Sequence, residues 1–165
     1  MAVATRVSTR THTANYLSGE ILGAFSDILA HLGLSGQAFG EQWPSTEQAL
    51  LVWIEEGSLE SVRLECVAST GAKAFFEVTV KYDSSGTGEW QFVSQQLALA
   101  RCRVKFESMP RTSTYRLLVW TKPWRTHISG WTETTAGSTD GMVARNFGTL
   151  ASAPHASTSL RYYRS

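Results

Sequence analysis

The stretch STDGMVARNFGTLASAP, residues 138–154, decides how this chain is read. It carries Met142, Val143, Phe147 and Leu150, enough apolar groups for a strand, yet Gly137, Gly141 and Gly148 interrupt it and a Thr/Ser-rich run precedes it. Such a loosely tethered strand needs a sheet edge to join, because a lone strand leaves its N–H and C=O groups unpaired. The rest of the chain has to supply that edge.

Working outward, STYRLLVWT (113–121) lies between Pro110 and Pro123 and reads as a strand with apolar groups on both faces, covered by helix on one side and by something else on the other. In LESVRLECVA (59–68), Val62, Leu64, Cys66 and Ala68 share one face. After the STGAK turn, Phe76, Val78, Val80 and Tyr82 share another, so the two runs predict a hairpin. Leu17, Ile21, Leu22, Phe25, Ile28, Leu29 and Leu32 form one helical stripe that Gly33 ends. Pro44 and a Ser45/Gln48 capping box predict a short second helix over ALLVWIEE, closed by Gly57. Trp90, Val93, Leu97, Ala100 and Val104 predict a third helix over about 89–106. The alternating Val3, Thr5, Val7, Thr9, Thr11 and Thr13 predict a polar extended segment at the start. The expected class is α+β: a helix crossover lays 113–122 beside the first hairpin strand, leaving open sheet edges at 73–82 and 113–122.

At 165 residues the chain fits one domain that buries roughly two thirds of its unfolded surface. Its net charge of +1 hides an asymmetry: residues 1–99 carry 5 Lys/Arg and 11 Asp/Glu, net −6, while residues 100–165 carry 10 and 3, net +7. The second part is suited to an acidic partner surface. Cys66 and Cys102 lie on predicted regular elements with no ligand spacing, as reduced core thiols do, which fits a cytoplasmic location. MAVATRVSTRTHT lacks the apolar run of a signal peptide, and no 18-residue apolar stretch follows, so no membrane partner is expected.

Enzyme chemistry finds little support. His12, His31, His127 and His155 are scattered, Glu55 and Glu56 point to different helix faces, and no GxxxxGK[ST], GxGxxG or GxSxG occurs. Neither catalytic residues nor a metal or other cofactor are expected. WTKPWR (120–125) and RYYR (161–164) interleave aromatics with cations, the combination that binds single-stranded nucleic acid, which is the alternative reading. The same residue types also anchor protein interfaces, so direct nucleic-acid contact is the less favoured of the two.

THTANYLSGEILGAF (11–25), RLLVWTKPW (116–124), GWTETT (130–135) and GMVARNFGT (141–149) together resemble the bacterial HORMA-domain proteins encoded beside cyclic-oligonucleotide-synthesising nucleotidyltransferases in anti-phage (CBASS) operons. The resemblance implies a single HORMA domain over 1–165, with three helices on a central, mainly antiparallel sheet. The core would run over about 12–122 and a C-terminal safety belt over about 123–165. It implies a non-catalytic signalling adaptor that closes the belt around an extended closure-motif peptide, activates the nucleotidyltransferase when closed, and is reopened by an AAA+ ATPase. On that reading the edge strand Tyr115, Arg116, Leu117, Leu118, Val119, Trp120 and Thr121 receives the peptide by main-chain pairing. The belt residues are Trp124, Trp131, Met142, Val143, Ala144, Arg145, Phe147 and Leu150: Gly130–Gly141 crosses the ligand and Met142–Tyr162 pairs with the opposite edge. Arg125 and Arg145 would dock the partner, and Val3, Arg6, Val7 and Arg10 would be gripped by the ATPase. A chain stopping at RYYRS is expected to receive a peptide rather than donate its tail.

Overall fold

A computed structural model describes residues 2–83 and 92–165, with side chains from Thr9 onward in the first helix. Its elements are α1 (Ala2–Leu32), α2 (Gln37–Glu56), β1 (Leu59–Val67), β2 (Lys73–Tyr82), β3 (Val93–Ser94), α3 (Gln96–Arg103), β4 (Thr114–Thr121), β5 (Val143–Ala153) and β6 (Ala156–Arg164). The strands form one sheet in the order β3-β5-β6-β2-β1-β4, and every neighbouring pair is antiparallel. The helices cover one face of it. The α+β architecture with three helices and a C-terminal hairpin is as expected.

The α1 stripe Leu17, Ile21, Leu22, Phe25, Ile28, Leu29 and Leu32 is buried, as are Ala49, Leu50, Trp53 and Ile54 of α2. They meet Val62, Leu64 and Cys66 of β1, Phe76 and Val78 of β2, and Leu160 and Tyr162 of β6 in a single core. Burial of each such large side chain contributes roughly 1.5–3 kcal/mol. Gly33 (φ 77°) and Gly57 (φ 80°) end α1 and α2 in the left-handed conformation that glycine adopts without a Cβ penalty.

Three expectations need correction. The N-terminal segment is the start of α1, not an extended edge, so Val3, Arg6, Val7 and Arg10 lie on helix. Val3/Val7 and Thr9/Thr13 are also i,i+4 pairs, and the β2 edge that a strand could have joined is taken by β6. The second helix begins at Gln37 and carries Pro44 inside it. Ser45 makes no capping box, and its hydroxyl donates back to the Gln42 carbonyl at 3.0 Å. The third helix is only Gln96–Arg103, because Val93 and Ser94 pair with Ser152 and Ala151 of β5. Its core face is Ala98, Leu99 and Cys102, while Leu97 and Val104 are exposed, and Trp90 falls outside the described residues.

Candidate functional site

β4 is the last strand of the sheet and pairs only with β1, with Leu64 opposite Leu117 and Val62 opposite Val119. The register therefore turns Tyr115, Leu117 and Val119 toward the helices and Arg116, Leu118 and Trp120 to the other face. The Tyr115 hydroxyl donates to the Ser35 carbonyl at 2.9 Å, which ties the strand's start to the α1–α2 connection. The outer main chain of β4 has no strand partner among the described residues, so it offers the N–H and C=O row that an extended chain can pair with.

The chain that follows β4 wraps around this edge. It is first fixed on the helix side, where the Thr126 N–H and hydroxyl donate to Glu56 at 2.9 and 2.8 Å and the Trp53 indole N–H donates to the Thr126 carbonyl at 2.8 Å. Partial burial pushes the Glu56 carboxyl up, but the hydrogen bonds from Thr126 and Ser58 and the Arg125 charge outweigh it and hold the pKa below its ordinary value. Trp131 then packs edge-on against Trp53, ring centroids 5.2 Å apart, and the Arg125 guanidinium lies 5.7 Å from the Trp53 ring. Beyond Trp131 the chain passes to the other face, where the Arg116 guanidinium donates to the Thr135 carbonyl at 2.8 Å. There the Gly137 N–H donates to the Glu65 carboxylate at 3.0 Å. From Val143 it enters the hairpin β5–β6, whose second strand fills the β2 edge from Ala74 opposite Arg164 to Tyr82 opposite Ala156.

Between β4 and this crossing lies a slot of about 400 Å³, lined by Leu117–Thr121, Trp53, Arg125, Trp131–Thr134 and Ala136. Five extended residues span roughly 16 Å at about 3.3 Å each, so the floor matches a short extended segment. The slot is lined by apolar side chains and by polar ones in similar measure, with one cation (Arg125) and one acid (Glu133). No group of three or more His, Cys, Asp or Glu among the described residues could hold a metal ion. Burial pushes the thiols of Cys66 and Cys102 up to about 12, which leaves them protonated and unreactive at neutral pH.

The residues singled out from the sequence are distributed as follows. Tyr115 to Thr121 are all on β4. Trp131 and Arg125 line the slot, whereas Trp124 is 61% exposed at the turn after β4. Met142 precedes β5, Val143, Ala144 and Arg145 open it on the surface, Phe147 packs against the core and Leu150 is buried within it. Arg145 sits with Val143, Lys105 and Arg164 beside Tyr162, so it and Arg125 lie at opposite ends of the sheet rather than in one patch. Of the aromatics in WTKPWR and RYYR only Trp124 is largely exposed; Tyr162 is a core residue stacked on Phe76 at 4.9 Å. They form no continuous stacking track.

The sequence reading missed a charged cluster on the face opposite the helices. Arg63 (8% exposed) pairs with Glu65 (2%) at 3.3 Å and Glu77 (9%) at 3.2 Å, and its guanidinium lies 4.5 Å from the Trp120 ring. The signal was present: Arg63 and Glu65 alternate with the core residues of β1, and Phe75 and Glu77 do so in β2, so a face that also carries a large aromatic has to be covered.

Several solved structures share the fold. A chain of the mitotic checkpoint complex has a TM-score of 0.79 at 10% identity, covering 93% of this chain and 99% of that one. Caenorhabditis elegans HTP-2 bound to the HIM-3 closure motif has 0.66 at 16%, covering 93% and 90%. A chain of the Escherichia coli MS115-1 CdnC:HORMA-deltaN complex has 0.57 at 12%, covering 94% and 89%. Identities this low establish the fold alone. No curated protein matches the sequence. The model of bacterial HORMA domain 2, however, matches residues 2–165, which is nearly the whole chain. The chain belongs to the bacterial HORMA domain 2 family.

Proposed function

We propose that the chain is a single-domain, non-catalytic adaptor of the cytoplasm, core about 12–122 and belt about 123–165, that holds an extended peptide of a partner protein in the slot along β4. The observation that carries this reading is a strand edge without a strand partner among the described residues, overhung by a crossing segment with about 400 Å³ between them. The peptide pairs with the main chain of Tyr115–Thr121, and pockets under alternate residues select its side chains. The solved complexes of HTP-2 with a closure motif and of CdnC with a HORMA chain support the two partner classes. These are a closure-motif peptide and, for the peptide-bound form, a cyclic-oligonucleotide-synthesising nucleotidyltransferase that it activates.

Release requires β6 to leave β2, a slow step in which the whole ladder is lost, so an AAA+ ATPase is the third partner. It grips the first turns of α1, at Val3, Arg6, Val7 and Arg10. The Thr13 hydroxyl donates to the Pro154 carbonyl in the β5–β6 turn, so force on α1 reaches the hairpin directly. Removal of residues 1–11 is expected to leave peptide capture intact and to stop ATP-driven release.

The test is a pull-down with the full chain against the proteins of its own operon, with any bound peptide sequenced. Recovery of the nucleotidyltransferase together with an extended peptide supports the adaptor. Salt-sensitive retention of labelled single strands with no protein partner favours nucleic-acid binding instead. Single reversals separate the two arginines: Arg145→Glu slows partner association in a salt-dependent way, whereas Arg125→Glu alters peptide retention.

A further inference from the structure

We propose that Glu65, Arg116 and Gly137 form a latch that holds the crossing segment on the sheet, and that opening of the β5–β6 hairpin begins with its loss. The inference rests on the reading above that the hairpin can leave the β2 edge.

Glu65 is 2% exposed and faces the crossing, where it accepts from Arg63 Nη1 at 3.3 Å, from Arg116 Nε and Nη2 at 3.0 and 2.8 Å, and from the Gly137 N–H at 3.0 Å. Arg116 closes the loop by donating to the Thr135 carbonyl at 2.8 Å. The edge strand, its neighbour and the crossing are thus joined through one buried carboxylate. A Cβ at position 137 would stand 2.7 Å from Phe75 Cζ and 3.2 Å from Glu65 Oε1, so the buried Phe75 ring or the crossing would have to shift. When the crossing lifts, Glu65 keeps Arg63, and Arg63 keeps Glu77, so the half of the latch on the sheet stays assembled for reclosure. Neither Glu65 nor Gly137 lines the slot, so they set how long the closed form lasts without touching its ligand.

Hydrogen exchange on the full chain, with no added peptide, tests this in wild type, Glu65→Gln, Gly137→Ala and Gly137→Ala with Phe75→Leu. In wild type the hairpin, 143–164, exchanges faster than helix residues 17–32, because it opens before the fold does. Glu65→Gln, whose NH2 replaces one of the two oxygens that accept from Arg116, Arg63 and the Gly137 N–H, and Gly137→Ala each speed hairpin exchange about tenfold, as expected for a lost charge-assisted hydrogen bond. Helix exchange rises by no more than the same factor, because unfolding also breaks the latch, and Phe75→Leu restores slow hairpin exchange to Gly137→Ala by making room for the methyl. Hairpin exchange at the wild-type rate in both single variants overturns the latch. So does a rise in helix exchange with the hairpin unmoved, which marks a contact that the opened form keeps. A wild-type hairpin that exchanges only at the helix rate removes the movable hairpin itself, and the latch with it.

Discussion

The two edges of the β1–β2 hairpin are chemically alike in their main chains and are treated oppositely. At β2 the edge is filled by the protein's own β6 along the whole strand, and the side chains beneath are core residues, with Leu160 and Tyr162 buried. At β1 the neighbour is β4, whose outer edge has no strand partner among the described residues, and the chain above it is held off by contacts at Glu56, Trp53 and Glu65. Backbone pairing is the same currency at both edges, so the difference lies in the side chains. An edge over a continuous apolar floor keeps its strand, and an edge bridged by a few polar clamps leaves a slot beside it.

Substitutions can break that contrast, and their effects should rank by the burial each removes. Leu160→Ala empties a fully buried position in β6 and should cost about 3 kcal/mol, read from urea unfolding. A loss under about 1 kcal/mol would mean that the hairpin is not part of the core. Trp131→Ala removes a half-buried ring from Trp53 and should cost less, about 2 kcal/mol, while speeding hydrogen exchange in 126–137. Acid should loosen the same root. The Glu56 pKa in the folded protein lies below its ordinary 4.5, so the stabilisation from its carboxylate is present above pH 4.5 and is lost as pH falls through the lower folded value. Protection of the Thr126 amide relative to its intrinsic exchange should fall in that window in wild type and stay constant across it in Glu56→Gln. Smallest of all is Lys122→Ala: its bridge to Glu60 at 2.9 Å joins two half-exposed side chains, so the unfolding free energy should change by less than about 0.5 kcal/mol.

The helical stripe of α1 was legible because it has a clean period and one buried face, the β1–β2 pair because two alternating runs flank a turn, and β4 because two prolines bound its apolar run. The β5 strand was legible through Leu150 and its apolar neighbours, whereas its pairing in a hairpin came from the family resemblance, and Gly148 (φ 86°) marks an irregular register that no period announces. The N-terminal turns were not, since Val/Thr alternation fits a strand face and an i,i+4 helix face alike until the available edges are known. Pro44 misled in the other direction: proline favours a first turn, yet α2 carries it in the interior. The slot's outer wall was hidden for a different reason. Glu65 and Gly137 are 72 residues apart, and nothing local tells a strand carboxylate that it will receive a distant N–H.

The central claim is that β4 accepts an extended chain beneath the crossing. It is tested most directly by selecting ligands from a displayed library of random peptides on the full-length protein and mapping amide exchange with the best one bound. The account predicts new protection in 114–121 and in 131–137, with the hairpin's own amides slowed as well because the closed form is stabilised. Peptides that protect only the helices or the exposed face of the hairpin, leaving 114–121 unchanged, would contradict it.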